Sequence, residues 1–205
     1  MKSIQSAWKV VTEFRRAYIV LNLAYYGLVL CGMIYVAFVP SLQQSLLREV
    51  GAAFTEGPFS AVGSAYLGGQ ILPAIILTFV VNLVIGSLMV ITLPSLVIPF
   101  IGLPIGAYRA LLWGLLLSPT TPELRMAMIP HSLALVLEGQ AYILAMLGAY
   151  IQGIAFLRPS SVGAETRRQG YWFGLKRSAH IYLLVVVLLA VAAVYEALEV
   201  ILIIA

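Results

Sequence analysis

Apolar residues fall into long uninterrupted runs in this chain, and the polar positions gather in a few short segments between them. The first run covers about 17–39 and ends at Pro40. Others cover about 71–93, 96–117, 129–157 and 181–204. Each approaches or exceeds the roughly 20 residues that cross a bilayer as a helix, so the pattern predicts five transmembrane helices. The prolines at 94, 99 and 104 predict a tight hairpin or a broken helix start between the second and third. Between the first two runs, residues 41–70 are mixed. Leu42, Leu46, Val50 and Phe54 predict a short amphipathic helix there, broken by Glu56-Gly57-Pro58. At the N-terminus, Ile4, Trp8 and Val11 recur at helical spacing with Lys2, Lys9, Arg15 and Arg16 on other faces, the pattern of a helix lying on a membrane surface. The expected fold is therefore an all-α integral membrane bundle, one transmembrane domain over 1–205.

Composition agrees. The hydrophobic set is 62% of 205 residues and the charged set 10%, where water-soluble chains carry roughly 25% charge. The net charge of +4 comes from twelve Lys and Arg against eight Glu, with no Asp. Its distribution points to topology and not to nucleic acid. Basic residues crowd the N-terminal stretch and the segment 158–180 (Arg158, Arg167, Arg168, Lys176, Arg177), whereas 41–70 and 118–128 hold only Arg48 and Arg125. Five crossings put both basic segments on one side, which the positive-inside rule makes cytoplasmic. The C-terminus is then external, and 41–70 is an external segment. Trp172 and Phe173 suit a headgroup-level anchor. The basic face would attract anionic lipid headgroups or an acidic partner, and the expected location is the cell (inner) membrane. Cys31 is the only cysteine, so no internal disulfide forms.

Small residues recur every fourth position in three runs: Ala74, Thr78, Asn82 and Gly86; Gly102, Gly106, Ala110 and Gly114; Ala141, Ala145, Ala149 and Gly153. That spacing keeps them on one helix face and lets backbones approach closely in lipid. These faces are expected to pack against helices of this chain, of other membrane proteins or of a second copy.

Polar residues inside the runs are costly, at least ~2.5–3.5 kcal/mol for each unpaired charge. Asn82, Arg109, Glu138 and Glu196 all fall roughly 12–17 Å from the external ends of their helices at about 1.5 Å per residue, so they are expected to meet as one intramembrane cluster. Arg109 and Glu138 stand nearly equidistant from the turn that joins their helices, which predicts a direct ion pair. His131, after Pro130 at the expected start of the fourth helix, lies two turns before Glu138 on a similar face and would sit at the mouth of an outward-facing pocket. Glu199 is expected near the external end, exposed to water. Two readings stay open for the cluster: a satisfied structural lock on helix register, or a pocket that moves protons, binds a cation or receives a partner's polar group. Sequence motifs of hydrolases, metalloproteases and nucleotide-binding loops are absent. His131 and His180 are expected on opposite sides, so neither a metal site nor another cofactor is expected, and no enzyme activity.

Five spans, Asn82 followed by small residues, Pro130-His131 with Glu138 below it, and the late Glu196 together resemble the stage II sporulation protein M family of membrane proteins, most clearly after residue 70. That family's signature is Pro-His-Gly with a glutamate one turn later. Here Ser132 stands at the glycine, Leu135 at the one-turn position, and the glutamate follows two turns on. The resemblance implies a non-catalytic membrane component, since the founding member resembles a scaffold that recruits peptidoglycan-remodelling hydrolases. A membrane scaffold or accessory subunit is the first functional expectation, and a small transporter or channel subunit with a proton or ion relay is the alternative.

Overall fold

The computed structural model describes residues 2–204, with the side chains of Lys2, Ser3 and Ile204 outside the described set. The described residues form helices and short turns, with no strand among them. Helix α1 is Lys2–Glu13, α2 Arg15–Phe38, α3 Pro40–Thr55 and α4 Ser60–Leu67. Helix α5 runs Ile71–Val97, α6 Gly102–Leu117, α7 Pro122–Leu157 and α8 Arg167–Ile203. Four of these (α2, α5, α7 and α8) are long and apolar enough to cross a membrane, whereas α6 is a shorter apolar helix of 16 residues.

The breaks follow local chemistry. Pro40 opens α3 at a position where a missing N–H costs nothing, after Val39 turns the chain out of α2. Thr121 caps α7 by accepting from the Leu124 N–H, with Pro122 behind it and Glu123 in the first turn. Thr166 and Gln169 form a reciprocal capping box that starts α8.

Three boundaries differ from the sequence expectation. Helix α5 does not end near Leu93. Its turns widen to i→i+5 bonding over Val81–Thr92 and tighten again at Leu93, so Pro94 falls in the first turn of a renewed α-segment. The reversal comes later, at 98–101, where Phe100 adopts φ 69 and presses its ring on Gly153. Pro130 does not open a helix either. The Thr121 cap starts α7 two turns earlier, and Pro130 rides inside it. The basic segment is likewise not all loop, because the capping box draws residues from Arg167 onward into α8.

Helix α7 is the centre. In its most apolar stretch 72% of residues are buried, against 28% in α2 and α5. It packs along α8 on one side and against α2, α5 and α6 on others. The small-residue faces are filled from within the chain. Ala74, Ala110, Ala141 and Ala145 are fully buried, Ala149 and Thr78 nearly so. A side chain at Gly106 would collide with Met146, one at Gly102 with the Ile91 carbonyl, and one at Gly114 with the Val29 carbonyl. At the N-terminus, α1 buries Ala7, Val10 and Val11 against α8 while Ile4 and Trp8 stay about half exposed, so the expected Ile4–Trp8–Val11 stripe is divided between two faces.

Candidate functional site: a polar-floored cavity among α3 to α8

The four polar residues expected to cluster all line one cavity of about 370 Å³. Asn82 sits at the second position of the widened turns of α5, and Gly86 follows one turn on. Because Gly86 has no side chain, the Arg109 guanidinium and the Tyr142 hydroxyl lie against its backbone. Stretches of i→i+5 bonding are rare and frequently accompany functional positions.

The direct Arg109–Glu138 ion pair is not formed: among the described residues no contact within 4 Å joins them. Asn82 stands between. Its Nδ2 donates to Glu138 Oε1 at 2.5 Å, and its Oδ1 accepts from Tyr142 OH at 2.8 Å and from Arg109 Nη2 at 3.5 Å. Arg109 Nη2 also donates to Tyr142 OH at 2.7 Å, and its guanidinium carbon lies 4.0 Å from the Tyr142 ring centroid and 5.7 Å from that of Trp113. An amide offers both a donor and an acceptor, so Asn82 can serve a carboxylate and a guanidinium at once. The aromatic rings then hold the cation that the carboxylate does not touch. Arg109 Nε remains buried without a partner.

Glu196 of α8 lines the same cavity as Glu138, and its Oε2 is buried without a partner. Glu199 is not at a wet helix end as expected. It is 1% exposed, and its Oε1 lies 3.1 Å from His131 Nδ1. The reason is the length of α7, which rises past the end of the cluster and covers α8 there. Tyr195 OH donates to the Pro130 carbonyl at 2.8 Å and closes the same seam. His131 does not line the cavity, so it is not a pocket mouth; its partner is Glu199, three residues beyond Glu196 on α8.

The walls are apolar and come from the 41–70 segment, α5 and α6. Val50, Phe54 and Phe59 face Ile85, Leu112 and Trp113 across the space. Gln43 fixes this lid: its Nε2 donates to the carbonyls of Leu116 and Ser118, and its Oε1 accepts from Thr120. Tyr66 bonds Thr78 at 2.9 Å, and burial pushes its phenol well above the ordinary range, so the hydroxyl stays protonated. Tyr142 escaped sequence reasoning and Glu199 was expected in water, although their spacing marks both. Tyr142 lies one turn after Glu138, and Glu199 three residues after Glu196, each on the same helix face. A separate polar seam ties α2 to α7, where Gln140 accepts from Tyr18 OH at 2.5 Å and donates to Asn22 Oδ1 at 2.7 Å.

Chemically, the cavity combines a hydrophobic enclosure with the polar side chains of Asn82, Arg109, Glu138 and Glu196, while Arg109 Nε and Glu196 Oε2 lie buried behind it without a partner. Among the described residues no group of three His, Cys, Asp or Glu could hold a metal ion. No family model, curated protein or solved structure matches the chain.

Proposed function

We propose that this chain is a small membrane transporter, or the transport subunit of a larger assembly, that admits a small amphiphilic solute to the cavity and passes a proton along Glu138, Glu196, Glu199 and His131. One observation carries the reading: the polar floor of an apolar cavity includes Glu138 and Glu196, and the buried Glu199–His131 pair stands one turn further along the α7–α8 seam. Intramembrane ionisable groups that face a cavity commonly mark substrate paths and proton relays. Two carboxyls that share one site accommodate one proton between them, which is a usable store for such a path.

The proposed body has five crossings, with α6 as the fifth. Its support is the ion pair of Glu13 with Arg177 at 3.1 Å, which brings the two basic segments together. Helices α2, α5 and α7 alone would leave those segments on opposite sides, and adding α6 returns them to one. The positive-inside rule favours the cytoplasm for that side and the cell membrane for the protein. A scaffold or accessory subunit is the second reading. It drew on the absence of catalytic motifs, the small-residue faces and the resemblance, and this chain covers those faces itself. Membership of the stage II sporulation protein M family belongs to the proposal too, supported by Asn82, Glu138 and Glu196 lining one cavity.

Purified protein in vesicles carrying an internal pH dye tests the function. With a panel of short amphiphilic acids and amines, the wild type should show solute-dependent proton flux, and Glu138→Gln should lower it at least tenfold. Absence of any flux above empty vesicles, or undiminished flux in Glu138→Gln, overturns the reading.

A further inference from the structure

A second concave site lies away from the cavity, between α1 and the first turns of α8. Its space is about 350 Å³, and Lys9, Lys176, Arg177 and His180 line it together with Val10 and Phe173. The four basic side chains come from segments more than 160 positions apart in sequence, so the fold, not a local charge run, assembles them. Arg177 is partly spoken for: it pairs with Glu13 at 3.1 Å and lies 5.0 Å from the Phe173 ring centroid. That pairing locks α1 onto α8 and fixes the cleft's width. Lys9 and Lys176 are exposed and have no acidic side chain within ion-pair distance among the described residues. On the same two helices, next in sequence to the lining residues Lys9 and Phe173, Trp8 and Trp172 are 56% and 53% exposed, and Ile4 is 50% exposed. Exposed indole rings next to lysines on helices that continue into an apolar bundle are what the headgroup layer selects.

We propose that this cleft binds the phosphate headgroup of an anionic membrane lipid, with Lys9 and Lys176 as the charged contacts, and with Trp8 and Ile4 against the lipid's glycerol and upper acyl carbons. Basic pockets between helices at a membrane face take such headgroups. The lysines act as point charges on a phosphodiester, and the Glu13–Arg177 pair is a positioning element. The site is independent of the transport reading, since none of its residues lines the other cavity.

The test is the relative association of spin-labelled phosphatidylglycerol and phosphatidylcholine with the full chain in phosphatidylcholine bilayers. The wild type should prefer phosphatidylglycerol, and each of Lys9→Gln and Lys176→Gln should lower that preference about fivefold. Lys176→Arg should retain it, which separates lost charge from lost fold. Arg158→Gln with Arg168→Gln, outside the cleft, should leave it unchanged. Equal association of both lipids with the wild type overturns the proposal, as does an equal loss in the 158/168 variant, which would reveal diffuse surface charge. Release of the labelled lipid by millimolar inorganic phosphate at constant ionic strength would assign the cleft to a free anion and overturn the lipid assignment.

Discussion

Asn82 is the residue on which the polar floor turns. Removing its amide takes away the one side-chain hydrogen bond shown for Glu138 and one partner of Arg109, which keeps Tyr142 OH. Buried polar groups left without partners cost about 1–3 kcal/mol. Asn82→Leu should therefore lower the unfolding free energy in mixed micelles by about that amount. The aromatic rings around Arg109 keep the loss from being larger. A variant as stable as the wild type would show that the floor is held by other contacts. The convergence of Asn82, Arg109, Glu138 and Glu196 was legible in the sequence because helix rise converts residue number into depth. Their partners were not legible. Depth says nothing about rotation, so it could not reveal that Asn82 would lie between Arg109 and Glu138, or that His131 would turn toward Glu199.

Among the elements, α2 and α6 cross with almost no side chain between them. Gly32 and Gly114 set the distance, each lying against backbone atoms of the other helix. Gly114→Ala forces its methyl onto the Val29 carbonyl, and overpacking of this kind costs about 1–3 kcal/mol. Gly27, on the same helix as Gly32 but facing open space, is the contrast: Gly27→Ala should be neutral or stabilising by up to about 1 kcal/mol. Thermal unfolding of the two variants side by side checks the crossing, which is misplaced if they behave alike. The four-residue period announced the Gly114 face, since only small residues permit backbone contact, but not Gly32, whose run carries no such period. Helix ends were less legible. Pro94 and Pro130 looked like breaks, yet each is absorbed, one at a change of helical pitch and the other inside a helix already begun at a better cap.

Across the whole molecule, the bundle is organised around a single buried helix, and the lid made by α3 and α4 closes one flank of the cavity. The lid was expected only as an external amphipathic segment, because the apolar pair Val50 and Phe54 reads equally well as facing lipid or protein. Only the anchoring of Gln43 at the α6–α7 turn resolves which. The helices also differ in reach. At about 1.5 Å per residue, the 16 residues of α6 extend about 24 Å, short of the roughly 30 Å of a common hydrocarbon core. With α6 as the proposed fifth crossing, the bilayer would have to thin along that flank, and each ångström of mismatch carries a modest energetic penalty. On that proposal, resistance to thermal unfolding should be greatest in fourteen-carbon lipids and fall as acyl chains lengthen to eighteen and beyond. A membrane that thickens would strain the very flank on which Arg109 and Trp113 meet the cavity.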